Sequence, residues 1–297
     1  MAVAMKKFDY LVPSSVDEAI AFWNGSRDGS QYVSGGTELM PMMNRGKLPP
    51  VCLIELTKLR ELSSIEPING GLRIGASVTH TEIEHAPLVI NSWQALAEAS
   101  GSIREPQVRN RGTIGGNVAS GVSCADLVPA LLVFGAEIRL KGSNGERLVP
   151  IEKFLVAPFK TDIKADELVT HIQLSQPEKN LGSAFTKLTK FHGSGLSVAT
   201  VAAAMICEGD KVSRARIAIG AAGPVPKRAI EAEAFLEGKT LSDEVLKEVG
   251  RLVSAAAEPR EGSIRASPTY KHRVLGPLAG RTITLAFNRS RDRSSGA

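Results

Sequence analysis

Cysteine is scarce in this chain: Cys52, Cys124 and Cys207 are the three in 297 residues, far apart and without a C-x-x-C pair. That spacing excludes a disulfide framework, a cysteine-ligated iron–sulfur cluster and a structural zinc site. The five histidines, His80, His85, His171, His192 and His272, show no metal-ligand spacing. Any metal in the system is therefore expected on a partner. Long apolar runs are missing too; the longest, around residues 199–206, is far too short to span a bilayer. Lys6 and Lys7 are followed by no apolar stretch, which argues against a secretory signal and for a cytoplasmic protein. Aromatic residues make up only 5% and are not interleaved with basic ones, which speaks against nucleic-acid binding despite a formal charge of +5. Part of the positive excess lies in Arg281, Arg289, Arg291 and Arg293, which read as a solvated, frayed end. No P-loop lysine motif and no intact G-x-G-x-x-G occurs. The nearest stretch, Gly193-Ser194-Gly195-Leu196-Ser197-Val198, lacks the third glycine and does not sit between a strand and a helix. No Ser/His/Asp or Cys/His arrangement stands out.

What is present suits a globular protein with sizeable cores: 43% hydrophobic and 23% charged residues. The pattern is α+β. Residues 14–23 read as a helix capped by Ser14 or Ser15, with Val16, Ala19, Ile20 and Trp23 on one face. Short strands are expected at 31–33, at 51–55 after the Pro49-Pro50 break, and at 72–76, with a helix starting within 77–81. Helices are expected at 94–99 and 127–134. A hairpin pairs 137–140 with 146–149 through Gly142-Ser143-Asn144-Gly145. A composition change near 177–182 marks a domain boundary. Beyond it, two long strands (197–207 and 212–220) precede helices at 228–236, at 244–257 and from Ser267-Pro268 onward.

Two glycine loops carry the functional signal. The first, Val33-Ser34-Gly35-Gly36-Thr37-Glu38-Leu39, follows a strand; paired glycines let the backbone N–H groups approach an anion closely, and Thr37 adds a hydroxyl donor. A plain tight turn is the competing reading. The second, Arg109-Asn110-Arg111-Gly112-Thr113-Ile114-Gly115-Gly116-Asn117, continues through Ala119, Ser120 and Gly121 to Asp126. So glycine-rich a stretch is costly to order unless something is held against it. Asp126 reads as an N-cap that places Pro129 at the third helical position, as a carboxylate accepting ribose hydroxyls, or as both. These residues alone imply a phosphate-bearing cofactor held by two non-Rossmann loops.

The pairing of S-G-G-T-E-L with R-N-R-G-T-I-G-G-N and a later aspartate resembles the FAD-binding (medium) subunit of the xanthine dehydrogenase family of molybdenum hydroxylases, which includes aerobic carbon monoxide dehydrogenase. The likeness runs from Phe8-Asp9-Tyr10 and Pro13 to about Ala286, and takes in Leu72-Arg73-Ile74-Gly75-Ala76 and Ser267-Pro268-Thr269-Tyr270-Lys271. It implies an α+β, PCMH-type FAD-binding domain over 1–178, in subdomains of about 1–58 and 59–178. A CO dehydrogenase flavoprotein-like C-terminal domain at 179–288 and a tail at 289–297 would follow. By the resemblance, Val33, Ser34, Gly35, Gly36, Thr37, Glu38 and Leu39 wrap the diphosphate of non-covalent FAD, and Thr113, Gly116, Asn117, Ala119 and Ser120 form a second cradle. Asp126 matches an acidic FAD contact, Leu168 or Val169 a contact near the flavin, and Lys187 a lysine beside the isoalloxazine ring. The implied partners are a large molybdenum-pterin subunit and a small [2Fe–2S] subunit, assembled as a dimer of heterotrimers. Electrons would pass from the clusters to this FAD and on to an external acceptor, with no side chain acting as acid or base. The chain departs from the family at Lys190-Phe191-His192, where relatives often carry paired arginines, and at Val122-Ser123. It lacks the ligands for the inserted cluster of the 4-hydroxybenzoyl-CoA reductase branch. Two rival readings are a self-sufficient PCMH-type flavin oxidase or reductase, with Cys124 the sole nearby candidate for covalent attachment, and a flavin-free docking scaffold.

Overall fold

The computed structural model describes residues 7–26, 29–48, 51–191 and 194–295. Lys6, the Pro49-Pro50 break, His192 and Gly193 lie outside them. A small parallel sheet comes first, built from β1 (Asp9–Leu11), β2 (Gln31–Val33) and β3 (Cys52–Glu55) in the order β1-β3-β2. Helix α1 (Val16–Gly25) crosses from β1 to β2, and α2 (Leu39–Asn44) follows β2. Ser15 is the cap of α1: its hydroxyl accepts from Glu18 N. The helix buries Val16, Ala19 and Ile20 against Cys52, Ile54 and Leu56, and Trp23 stacks on Tyr32 with ring centroids 4.7 Å apart.

The second sheet is antiparallel, in the order β4-β5-β10-β6-β7, from β4 (Ile65–Ile68), β5 (Gly71–Gly75), β6 (Glu137–Gly142), β7 (Gly145–Pro150) and β10 (Leu168–Leu174). Between β7 and β10 lie α9 (Ile151–Phe154) and the short hairpin β8 (Leu155–Ala157) and β9 (Lys160–Thr161). Six helices fill the connection from β5 to β6: α3 (His80–His85), α4 (Pro87–Ser92), α5 (Gln94–Gly101), α6 (Pro106–Arg109), α7 (Ile114–Ala119) and α8 (Val128–Phe134). Their apolar residues, among them Leu96, Ile114, Leu131 and Leu132, share one core with Leu72, Ile74, Ile138 and Ile172 of the sheet.

The third sheet is a sequential antiparallel one of β11 (Gly182–Phe191), β12 (Ser194–Glu208), β13 (Lys211–Gly220) and β14 (Lys227–Arg228). Along β12 the two faces alternate between two cores. Ala202 and Ala204 join the core under α5 and α8. Val201, Ala203 and Met205 face α10 (Ile230–Leu236), α11 (Asp243–Ala255) and α12 (Pro268–Ser295). A strand buried on both faces favours apolar residues at successive positions, which is why 201–206 reads as an unbroken apolar run.

The basic end is not frayed. Helix α12 continues to Ser295 because its arginines find fixed acceptors. Arg289 donates to Ser183 O and to Glu98 Oε1, both at 2.6 Å, while Arg293 reaches Leu181 O and Asn91 O. The close approach depends on Gly182: a methyl group there would lie 2.2 Å from Ala286 O. The last turns thus fasten the third sheet to α5, and residues read from the sequence as a solvated tail hold the two halves of the chain together.

Candidate functional site

The two glycine loops meet. Val33 is buried at the end of β2, and the chain turns at Ser34, whose Oγ lies 3.3 Å from Ser77 Oγ. A methyl group on Gly35 would fall 1.8 Å from Arg111 O and 2.9 Å from Gly112 Cα. The first loop therefore rests directly on the peptide of the second, backbone against backbone. Gly36 follows at φ +71°, a conformation that favours glycine. Its carbonyl accepts from Met40 N at 2.9 Å and opens the turn into α2. Thr37 and Glu38 are left exposed and Leu39 half-buried.

The second loop is pinned to the end of β5 by a run of main-chain bonds. His80 N donates to Gly112 O, Ile114 N to Val78 O and Gly115 N to Ala76 O, at 2.9–3.0 Å. Gly112 and Gly115 leave no room for a side chain: added methyl groups would meet the His80 ring at 2.8 Å and Ala76 Cβ at 2.5 Å. Thr113 caps α7, its hydroxyl accepting from Gly116 N at 3.2 Å. Ser120 Oγ donates to Asn117 O at 2.8 Å. Three features mark this seam as a binding surface. Gly116 is exposed, Asn117 Oδ1 is buried with no partner, and the seam between the loops carries almost no side chains. A diphosphate cofactor that needs close approach to main-chain N–H groups fits such a seam.

Asp126 and Lys187, read separately from the sequence, are brought together here. Lys187 Nζ on β11 lies 2.7 Å from Asp126 Oδ2, with side chains only 7% and 11% exposed. Asp126 Oδ1 accepts from the Ser197 hydroxyl. The expected N-cap role fails for that reason: the carboxylate is committed to β11 and β12. Helix α8 starts at Val128 with Leu127 as a cap that makes no side-chain bond, which puts Pro129 at the second helical position. Leu168, buried in β10 opposite Lys141 of β6, packs its side chain in the core with Val16, Ile20 and Ile54. Val169 is buried in the neighbouring core. Ala119 and Ser120 are half-buried at the end of α7.

Sequence reasoning missed two neighbours. Glu105 Oε1 accepts from Gly195 N at 3.0 Å, latching the β11–β12 hairpin onto the segment before α6. That bond holds the Glu105 carboxyl below the usual carboxylate range. His80, 3% exposed, backs Gly112 and has an unpartnered Nδ1. Burial, then the charges of Lys187 and Arg109, pull its pKa down to about 4. The one local signal was the capping box of Thr79 and Glu82, which fixes the start of α3 and with it the ring.

The depressed His80 makes stability depend on pH with a definite sign. Between about pH 6.5 and 4 the unfolded chain takes a proton that the folded chain refuses, so stability is complete above pH 6.5 and falls as pH drops to 4. From pH 7.5 to 5 this group should cost about 2 kcal/mol. Urea unfolding at the two pH values should show His80→Phe losing that much less than wild type; equal losses in both proteins would dismiss the assignment.

Residues 6–177 match the family described as the FAD binding domain in molybdopterin dehydrogenase. Residues 184–286 match the CO dehydrogenase flavoprotein C-terminal domain. The carbon monoxide dehydrogenase medium chain of Hydrogenophaga pseudoflava is 31% identical over 95% of this chain and 98% of its own. The 6-hydroxypseudooxynicotine dehydrogenase complex subunit alpha of Paenarthrobacter nicotinovorans is 29% identical, with 96% of each chain covered. Among solved structures, carbon monoxide dehydrogenase from Hydrogenophaga pseudoflava superimposes with a TM-score of 0.92 at 32% identity, covering 97% of this chain and 99% of that one. Quinoline 2-oxidoreductase from Pseudomonas putida 86 gives 0.91 at 27% identity, with coverage of 97% and 99%. With both halves of the chain matched in order and the two glycine loops in contact, this oxidoreductase chain belongs to the FAD-binding medium subunits of the xanthine dehydrogenase and carbon monoxide dehydrogenase family of molybdenum hydroxylases.

Proposed function

We propose that this chain is an electron-transfer subunit that holds FAD without a covalent bond, takes electrons from [2Fe–2S] clusters of a small partner, and delivers them to an external acceptor. A large molybdenum-pterin partner would oxidise the organic substrate, in a dimer of heterotrimers. The observations that carry this reading are the seam where Gly35 rests backbone to backbone on the Arg111–Gly112 peptide and the buried Asp126–Lys187 pair. Bound FAD supplies redox chemistry that no side chain of this protein can.

The chain's own residues position and tune. Ser34 to Leu39, above the base formed by Val33, offer main-chain donors to the diphosphate from one side; Thr113, Gly116, Asn117, Ala119 and Ser120 line the other. Asn117 Oδ1, buried and unpartnered, is suited to accept from a ligand hydroxyl or amine. Lys187 and Asp126, with Leu168 behind them as the resemblance implies, would sit at the flavin end. Non-covalent binding agrees with the state of Cys124, which is 8% exposed and whose thiol burial pushes up, away from the reactive thiolate. Three free thiols suit a reducing compartment, in keeping with a cytoplasmic protein.

The purified chain should be yellow, with a flavin visible spectrum, and heat or acid should release FAD. The isolated chain should then fail to oxidise N-heterocycles, aldehydes or purines. A colourless chain that refuses added FAD would favour a docking scaffold, and turnover by the isolated chain would favour a self-sufficient flavoenzyme.

A further inference from the structure

Among the described residues, four that are not glycine hold a positive φ: Asn69, Phe159, Asn180 and Ala221. Asparagine tolerates the left-handed region, whereas phenylalanine and alanine are strained there. Both strained residues serve one stretch of chain. Phe159, at φ +60°, donates its N–H to Gly121 O at 2.8 Å, and Ala221, at φ +57°, donates to Ser123 O at 2.8 Å. That stretch leads from Ser120, at the end of the second cradle, to Asp126. It is folded on itself: Val122 N donates to Ser120 Oγ at 3.3 Å, and Ala125 N to Val122 O at 3.0 Å.

Ala221 is buried, so its surroundings hold it in place. Phe159 has no such support, because its side chain is 68% exposed. Ala157 pairs with Lys160 across β8 and β9, which leaves Pro158-Phe159 as a two-residue turn. Phenylalanine thus stands second in a turn where a left-handed backbone favours glycine. The turn's grip on the cradle does not use the ring: a methyl group on Gly121 would lie 2.9 Å from Lys160 N and 3.1 Å from Phe159 C, backbone against backbone. Glycine at 159 could donate the same bond to Gly121 without strain. An exposed ring kept at the cost of strain, at the rim of a cofactor site, points to a ligand for the ring itself. Val156 and Pro158, both exposed, extend it into a small apolar tip. Three side chains are far fewer than the roughly 20–30 residues that a protein interface engages on each side. One aromatic face suits one planar molecule.

We propose that Phe159 is the stacking contact for the external electron acceptor, and that this acceptor is a planar, apolar oxidant of the quinone class. The proposal rests on the FAD reading above. Such a quinone takes two electrons and two protons from the reduced cofactor; its two carbonyls become hydroxyls and FAD is left oxidised. The test uses the FAD-loaded full chain with 1,4-naphthoquinone as the probe. Equilibrium dialysis gives the Kd of the quinone, and anaerobic stopped flow gives its rate of reoxidising the reduced flavin, relative to ferricyanide. Phe159→Gly should raise the quinone Kd about 5- to 10-fold and lower the relative rate by a similar factor. FAD affinity should hold, and the urea midpoint should rise as the strain is removed. Phe159→Tyr should keep the quinone Kd near that of wild type. An unchanged quinone Kd in Phe159→Gly would overturn the proposal. Weaker FAD binding would overturn it by making the ring a cofactor contact, and a lower urea midpoint by making it a packing residue. A wild-type chain that binds no FAD would instead sink the FAD reading itself, and this assignment with it.

Discussion

Gly35→Ala is expected to strip the chain of FAD. The added methyl group would occupy the space 1.8 Å from Arg111 O, and neither neighbour is a side chain that can swing away. The first loop must lift or the second must sink. The second is held by three main-chain bonds, from His80, Ile114 and Gly115, so the first loop should give way. Its main-chain donors would then no longer converge with those of the second cradle. A shift of this size in a binding loop should weaken FAD by at least about 100-fold, or nearly 3 kcal/mol. Overpacking at the contact should cost about 1–3 kcal/mol of stability as well. Gly25→Ala is the control: nothing lies within 4 Å of the added carbon, and alanine at a helix end should be neutral or slightly stabilising. Equilibrium dialysis with FAD on size-exclusion-purified protein separates the outcomes. Full flavin occupancy in folded Gly35→Ala would mean that the seam is not the diphosphate site.

The loops could be read from the sequence because close backbone approach leaves its mark on residue type. Gly35, Gly112 and Gly115 each stand where a methyl group would strike main chain or a fixed side chain, so no other residue serves. The long strands were legible for a similar reason, since β12 is apolar from Val201 to Met205, where its two faces enter two cores. β4 was not legible: it holds Pro67, tolerable because the strand lies at the sheet edge. The Asp126–Lys187 pair was invisible because its members lie 61 residues apart, in different sheets and loops. Asp126 also satisfied a local rule, the N-cap before a proline-containing first turn, and a tertiary partner overrode that rule. The end of α12 was misread on the same grounds. Arg289 and Arg293 bond to main-chain carbonyls more than 100 residues away, and a carbonyl acceptor has no sequence signature. The orphan Nδ1 of His80 is equally a product of folding.

The Asp126–Lys187 pair should set the flavin potential through the balance of its two charges. A lone lysine beside the ring would favour reduction, because reduction adds negative charge there. Here the ammonium is met at 2.7 Å by a carboxylate, so a paired dipole acts in place of a full positive charge. Three variants separate the contributions. Lys187→Met leaves a buried carboxylate with only the Ser197 hydroxyl and should lower the midpoint potential. Asp126→Asn releases the ammonium from its partner and should raise it. Unit charges at protein contact distances interact by a few kcal/mol. A two-electron couple shifts about 30 mV for each 1.4 kcal/mol, so shifts of about 30–60 mV in opposite directions are expected. Each single variant should also lose about 3–5 kcal/mol of stability, the cost of leaving one member of a buried pair unmatched. The double variant Asp126→Asn/Lys187→Met should return close to the wild-type potential and recover part of the stability, because no charge is then left alone. Spectroelectrochemical titration of the flavin-loaded chains reads the potentials, and urea unfolding reads the stabilities. Opposite shifts with a near-null double variant would put the pair at the flavin. Lost stability with all three potentials unchanged would make it a clasp between the two halves of the chain, remote from the ring.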